Sequence, residues 1–228
     1  MPERVAIFID GSNLYHALKE NAGRTDLNFA EFARKLVGQR QLARTYYYNI
    51  LQDRTQNPEG HREQQEFLDV LRATPYLEVR LGGTKLSQGV PVEKGVDIMV
   101  ATDLLHFAAN NLYDTAVLVS GDGDFAYALQ TAKNLGRHIE VAYFEKNVSR
   151  DLLEVADFKH QMDRDFFKGL WVGKPHSTGA VGRRRRSGGP KRFPQGQPQQ
   201  VQQGQPQQQQ HREVHQPVFP PPAQPTMM

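Results

Sequence analysis

The sequence predicts a three-layer α/β/α sandwich around a mainly parallel, Rossmann-like sheet. Strand patterns alternate with helix patterns along the chain, which is typical of parallel sheets covered by helices on both faces. The first apolar run, 5–9, is rich in β-branched residues and does not alternate with polar ones, so we interpret it as a strand buried on both faces. Right-handed crossovers between such strands restrict the topology to this sandwich.

Each element follows from a local pattern. Asn28 is a helix-capping residue, and Gly38 and Gly136 are expected to end helices. The glycine-rich stretch 82–92 is interpreted as an irregular loop over the site, and 158–170 is expected to pack back on the domain. The predicted strands are 5–9, 42–51, 76–81, 115–119 and 138–144. The predicted helices are 13–20, 29–37, 63–73, 95–110, 125–135 and 149–155.

Composition limits the chemistry and the compartment. The chain has 228 residues and no cysteine, which excludes disulfides, Cys-ligated zinc, iron–sulfur clusters and thiol catalysis. No apolar run approaches the ~20 residues of a membrane span, and the N-terminus lacks a signal-peptide pattern. We therefore expect a soluble, cytoplasmic protein with no membrane partner.

Charge divides the chain into two parts. Residues 1–170 hold 20 Lys and Arg against 24 Asp and Glu, whereas 171–228 hold 8 Lys and Arg against one Glu. We predict a folded domain at 1–170 and a disordered, basic, Gln/Pro-rich tail at 171–228, which cannot bury enough apolar area to offset chain entropy. Such a tail suits nucleic acid, although a merely solubilising role competes with this interpretation. Its clustered cations are Arg183, Arg184, Arg185, Arg186, Lys191 and Arg192.

Carboxylates occur in three separated turns. Asp10 ends the first strand, Asp97 opens a helix pattern, and Asp122 and Asp124 follow the strand at 115–119. Open α/β sheets place ligands at the carboxyl ends of their strands, so we expect these side chains to gather there. Clustered carboxylates repel one another unless a cation neutralises them or some take up protons. Hard divalent ions such as Mg²⁺ or Mn²⁺ prefer this kind of oxygen shell, which predicts a metal site that positions and deprotonates a water beside a phosphodiester.

For several of these residues, the sequence leaves open whether the role is chemical or only structural. Asp10, Asp97 and Asp122 are the best candidates for direct or water-mediated metal ligation, and Asp124 is the next. The competing interpretation makes Asp10 a simple turn or helix-cap residue. Asn13 either hydrogen-bonds a phosphate, orients a carboxylate, or caps the first helix.

Other polar residues near these turns have weaker assignments. Ser12 is a second candidate for the first helix cap. Lys94 either contacts phosphate or is solvated, and Ser120 either donates to a carboxylate or only ends a strand. Asp103 lies off the helical face of Asp97, which favours a surface or structural role.

Three blocks resemble the NYN domain, a branch of the PIN-like nuclease superfamily, and within it the bacterial LabA-like group. They are 8–14 (FIDGSNL), 94–97 (KGVD) with 103–104 (DL), and 120–125 (SGDGDF), and 156–158 (ADF) is similar to the usual ending. The resemblance covers about 4–168.

The resemblance implies a PIN-like α/β/α sandwich and metal-dependent ribonuclease activity on single-stranded or structured RNA. It implies that the acidic site comprises Asp10, Asp97, Asp122 and Asp124, with Asn13 beside it. The tail lies outside the resemblance.

The main alternative is a non-catalytic RNA-binding or regulatory adaptor with the same fold, in which the tail carries the affinity; some LabA-like members are discussed as regulators. A haloacid-dehalogenase phosphatase requires a second acid where this chain has Ser12, and an integrin-like metal site requires a serine where it has Leu14. Walker and dinucleotide glycine patterns are not present. The oligomeric state stays open between a monomer and a homo-oligomer.

Overall fold

A computed structural model of the chain describes residues 2–87 and 90–173, with the side chains of 84–94 left undescribed. The strands are β1 (Arg4–Asp10), β2 (Gln41–Ile50), β3 (Leu77–Ser87), β4 (Val90–Lys94), β5 (Thr115–Val119), β6 (His138–Tyr143) and β7 (Phe158–Gln161). The helices are α1 (Gly11–Ala22), α2 (Phe29–Val37), α3 (Pro58–Arg72), α4 (Val96–Ala109), α5 (Ala126–Asn134) and α6 (Arg150–Val155).

The strands form one sheet in the order β4-β3-β2-β1-β5-β6-β7. Every neighbouring pair is parallel except β3 and β4, which are antiparallel. The chain builds outward from β1 in one direction through β2 and β3, and later in the other direction from β5. The strand order therefore reverses between β1 and β5, and open α/β sheets form their ligand-binding crevice at such a point. This topology confirms the predicted sandwich.

Two apolar layers cover the sheet, and β1 contributes to both. Val5, Ile7 and Ile9 pack with α1, α2 and α3, whereas Ala6 and Phe8 pack with α4, α5 and α6. All five side chains are buried, as expected of a continuous apolar strand in the centre of a parallel sheet.

Two predicted boundaries were wrong. The stretch 82–92 is mostly strand and not an irregular loop, because Gly82 pairs with β2 and Gly83 with β4, so the two glycines mark a change of partner. Helix α3 begins five residues before the predicted 63, because the Asn57 side chain accepts the Gly60 N–H and Pro58 occupies the first turn.

The segment after β7 packs back on the domain, as predicted. The Leu170 carbonyl accepts the N–H of Asn28, the cap of α2, and Trp171 forms a bridge with Leu27. Arg24 stacks on the Trp171 ring at 4.6 Å. The division between 170 and 171 stays a prediction, because most of the tail lies outside the described residues.

The buried Glu140 is the centre of a polar network on the α1–α3 face of the sheet. Glu140 on β6 accepts hydrogen bonds from the Arg40 guanidinium and lies 2.8 Å from the His160 Nε2. No helix in the described part of the chain is long and apolar enough to span a membrane.

Candidate active site

The crevice between β1 and β5 contains a buried carboxylate. Asp10 is the last residue of β1 and is only 6% exposed. One of its oxygens, Oδ1, accepts the Asn13 N–H at 3.0 Å and thereby caps α1. The prediction of Ser12 or Asn13 as the cap was therefore wrong, whereas the competing interpretation of Asp10 as a helix cap was right about this contact.

The capping bond leaves the second oxygen of Asp10 facing the end of β5. The Ser120 hydroxyl donates to Oδ2 of Asp10 at 3.3 Å and accepts the Asp122 N–H at 3.1 Å. Ser120 is itself buried, so its one hydroxyl links the first acidic turn, at 10–13, to the second acidic turn, at 120–124. The prediction that Ser120 donates to a carboxylate agrees with this geometry.

Asn13 forms a second link between the same two turns. Its side-chain oxygen accepts the Gly121 N–H at 3.1 Å. A backbone N–H can only donate, so the amide oxygen must face Gly121 and the amide NH₂ remains as a donor. Asn13 thus holds the turns together while it presents a donor group next to Asp10.

The second acidic turn is held by a hydrogen bond within the turn and by contacts with the segment that follows β6. Asp122 is half-buried and its Oδ1 accepts the Asp124 N–H at 3.0 Å, whereas the Asp124 side chain is exposed. The Gly121 carbonyl accepts the Ser149 N–H at 2.9 Å. A Cβ at Gly121 would lie 2.7 Å from the Asn147 carbonyl carbon and closer still to its oxygen, so only glycine fits there.

Asp97 lies near the crevice, at the start of α4. It lies in the first turn of α4, two residues after the N-cap Gly95. The φ of Gly95 is 95°, a value that favours glycine. Its side chain is exposed. Strand β4 is antiparallel and ends at Lys94, which pairs with Gly83 directly after the last β2–β3 pair, so α4 begins at the carboxyl ends of the parallel strands and Asp97 shares that edge with Asp10 and Asp122.

The electrostatics of Asp10 show that these carboxylates act on one another. Burial raises the pKa of Asp10, the hydrogen bond from Asn13 partly opposes the rise, and the negative charges of Asp97 and Asp122 raise it further. The protein thus keeps a desolvated carboxylate within electrostatic reach of two others, an arrangement that a bound cation would relieve.

The spacing limits how a cation could be held. Within residues 2–87 and 90–173, no three His, Asp or Glu side chains lie close enough to bind one metal ion. The oxygen donors at Asp10 and Asp122 instead suit a hydrated ion, because Mg²⁺ commonly keeps several of its waters.

The other sequence-predicted residues lie elsewhere. Asp103 accepts the Tyr48 hydroxyl at 2.9 Å and pairs with Arg80, which agrees with its predicted structural role. Lys94 lies in β4, and its side chain is outside the described residues. The tail cations Arg183 to Arg186, Lys191 and Arg192 are outside them as well.

Sequence reasoning missed the support around the site. The segment 147–149 contacts the second acidic turn from 26 residues further along the chain, and no local pattern indicates this. The glycines of the turn, Gly121 and Gly123 on either side of Asp122, were the available signal, since glycine often marks a close backbone approach.

The fold is an α/β/α sandwich of the PIN-like class, which is nuclease-like at the level of the family. The NYN domain family model matches residues 4–163, and the chain belongs to that family. The Low amplitude and bright protein LabA of Synechococcus elongatus is 31% identical over 163 residues, which span 68% of this chain and 82% of that protein. The protein is therefore a LabA-like member of the NYN family.

A solved structure is also similar. The crystal structure of a protein of unknown function from Vibrio parahaemolyticus superposes with a TM-score of 0.61 at 23% identity, covering 72% of this chain and 96% of that one. This likeness supports the fold alone.

Proposed function

We propose that this protein is a metal-dependent endoribonuclease whose site is the crevice of Asp10, Asp97 and Asp122, with Asp124 at its rim. The observation that carries the proposal is the buried Asp10, whose raised pKa reflects burial and then the charges of Asp97 and Asp122. Asp10 caps α1 and accepts the Ser120 hydroxyl, but neither donor carries a charge that would offset the cost of burying this carboxylate near two others. Desolvated, mutually repelling carboxylates in a crevice are typical of functional sites.

The residues have separate tasks in this proposal. Asp10, Asp97 and Asp122 would hold a hydrated Mg²⁺ or Mn²⁺, partly through its waters. When bound, the ion supplies an activated water and neutralises charge on the phosphate. The Asn13 amide NH₂ donates to a phosphate oxygen, and the Ser120 hydroxyl keeps the Asp10 carboxylate oriented.

RNA affinity has a second proposed source in the tail. Arg183 to Arg186, Lys191 and Arg192 would contact phosphates without regard to sequence, as would Lys94 nearer the site. Replacing Arg183 to Arg186 with alanine should weaken RNA binding and flatten its salt dependence, because fewer counterions are released. Unchanged affinity and salt slope would show that the tail does not bind RNA.

An adaptor without catalysis is the second candidate. It is favoured by the absence, among the described residues, of three metal-ligating side chains close enough to share an ion. The same fold would then bind RNA without cleaving it.

A cleavage assay separates the two candidates. Labelled RNA is incubated with Mn²⁺ or Mg²⁺, with and without a chelator, using the wild type, Asp10→Asn and Asp69→Asn. Asp69 is an exposed carboxylate near the end of α3, at the amino ends of the parallel strands and away from the crevice. It therefore provides a control for the loss of one negative charge. The proposal predicts metal-dependent cleavage that only Asp10→Asn abolishes. RNA binding without cleavage under either metal would favour the adaptor.

A further inference from the structure

Three helices on the same face of the sheet begin side by side at the edge that carries the acidic crevice. They are α4, α5 and α6, which pack in that order, α4 against α5 and α5 against α6. Each has an exposed side chain in its first turn: Ile98 is 72% exposed, Tyr127 is 84% exposed, and the Arg150 side chain is 90% exposed. Because helical Cα–Cβ bonds tilt toward the N-terminus, these side chains lean toward the end of the sheet that carries the crevice.

Tyr127 is held on a rigid support and its ring is exposed. It lies five residues after Asp122, and α5 is anchored by the buried Ala128, Leu129 and Ala132. Its carbonyl accepts the Thr131 hydroxyl at 2.9 Å. Among residues 2–87 and 90–173, the aromatic contacts do not include its ring and the hydrogen bonds do not include its hydroxyl.

The surroundings of Tyr127 do not resemble a protein-docking patch. The outer face of α5 continues with Gln130 and Asn134, which are exposed and hydrogen-bonded to each other at 3.1 Å. A docking patch for protein requires contiguous apolar area, whereas the outer face of α5 after Tyr127 is polar and Ile98 lies on a separate helix, α4.

The charge of the crevice favours a different kind of partner. Asp97, Asp122 and Asp124 repel the phosphates of RNA, so affinity close to the site must come from uncharged parts of the nucleotide. An aromatic ring stacks on any unpaired base, and each such contact is worth about 1–3 kcal/mol. Arg150 lies in the first turn of the next helix as a neighbouring cation for the backbone; its Nε pairs with Glu154, and other guanidinium donors remain.

We propose that Tyr127 stacks on an unpaired base of single-stranded RNA beside the crevice, with Ile98 and Arg150 flanking it. This inference rests on the proposed function, since it makes Tyr127 a positioning residue for that site. Stacking on Tyr127 requires single-stranded RNA, because bases in a duplex are already stacked and paired.

Binding to two probes tests the stacking. Fluorescently labelled single-stranded RNA and a duplex of equal length are titrated against full-length wild type, Tyr127→Phe, Tyr127→Ala and Tyr76→Ala in the presence of a chelator. Tyr76, which is 64% exposed, lies between α3 and β3 at the amino ends of the parallel strands, away from the crevice, and serves as the control tyrosine. We expect Tyr127→Ala to weaken single-strand binding by about 5- to 150-fold, equivalent to about 1–3 kcal/mol at 1.4 kcal/mol per factor of ten.

The controls define the alternatives. Tyr127→Phe and Tyr76→Ala should bind single-stranded RNA within about twofold of wild type, and duplex affinity should change in none of the variants. Equal single-strand affinity of Tyr127→Ala and wild type overturns the inference. So does a change of oligomeric state in Tyr127→Ala, measured by sedimentation, since the ring would then belong to an interface between copies.

Cleavage by the same variants distinguishes this inference from the proposed function. If the wild type cleaves and Tyr127→Ala cleaves with the same kcat/KM, the stacking is wrong and the nuclease stands. If no variant cleaves but Tyr127→Ala alone loses single-strand binding, the stacking stands and the nuclease is wrong. Substrates with one abasic nucleotide placed at each position in turn should show one position at which Tyr127→Ala has no additional effect.

Discussion

Gly121 provides the strictest test of how the acidic turn is built. Substitution by alanine places a Cβ 2.7 Å from the Asn147 carbonyl carbon and 3.2 Å from the Val148 Cα, with the Asn147 oxygen closer still. Ordinary contact begins at 3.4 Å, so the two backbones must separate by more than about 0.7 Å. Neither neighbour can rotate away, because both are main-chain atoms.

The cost of Gly121→Ala has two parts. Overpacking in a filled region costs about 1–3 kcal/mol, and separating the turns breaks the 2.9 Å bond from the Ser149 N–H to the Gly121 carbonyl, which adds about 0.5–1.5 kcal/mol. The free energy of unfolding should therefore fall by roughly 2–4 kcal/mol. At about 2–4 °C per kcal/mol for a domain of this size, the melting temperature should fall by roughly 5–15 °C.

Thermal unfolding followed by circular dichroism measures this change. Gly83→Ala is the matched control, since a Cβ there meets nothing within 4 Å and the glycine has ordinary φ. The control should change the free energy of unfolding by no more than about 0.5 kcal/mol. A melting temperature for Gly121→Ala within about 2 °C of wild type would refute the close packing of the two turns.

Three further changes test other parts of the structure. Ser120→Ala removes the hydroxyl that orients Asp10, so we expect cleavage to slow by about 10- to 100-fold in a single-turnover assay; an unchanged rate would contradict the role of the hydroxyl. Thr45→Val should leave the free energy of unfolding, measured by urea denaturation, unchanged or raise it by about 1 kcal/mol, because the buried Thr45 hydroxyl has no hydrogen-bond partner within residues 2–87 and 90–173. A clear fall in that free energy would mean that the hydroxyl is hydrogen-bonded. Burial raises the pKa of Glu140, but the hydrogen bonds from His160 and Arg40 outweigh burial and lower the pKa to about 2. The stability advantage of wild type over Glu140→Gln should therefore be full above the ordinary pKa of 4.5 and be lost as the pH falls toward 2, and a pH-independent advantage would contradict this.

Much of the fold was predictable because its signals are local. The run 5–9 is apolar on both faces, and this requires the central strand of a covered parallel sheet. Once that strand is placed, Asp10 must stand at its carboxyl end, and the same reasoning places Asp122 after β5. The edge of the sheet that carries the candidate site thus follows from the pattern of two strands and their turns.

The remainder depended on contacts between distant segments. Ser120 and Asn13 each connect turns more than 100 residues apart, and the sequence left the role of each divided between chemistry and packing. Gly82 and Gly83 resembled a loop because glycine disfavours strands, yet pairing with β2 and β4 overrides that preference. Local propensity cannot show which partner a strand will find.

The response of stability to divalent metal tests the acidic crevice most directly. Melting temperatures of wild type and Asp10→Asn are measured in a chelator and then across a titration with Mn²⁺. A metal that binds only the folded protein adds about 2.7 kcal/mol at 100 times its Kd, or roughly 5–10 °C here. We predict that Asp10→Asn melts no lower than wild type without metal, because it removes a buried charge that repels Asp97 and Asp122, and that only the wild type gains stability with Mn²⁺. Equal stabilisation of both proteins, or of neither, would contradict a metal site built on Asp10.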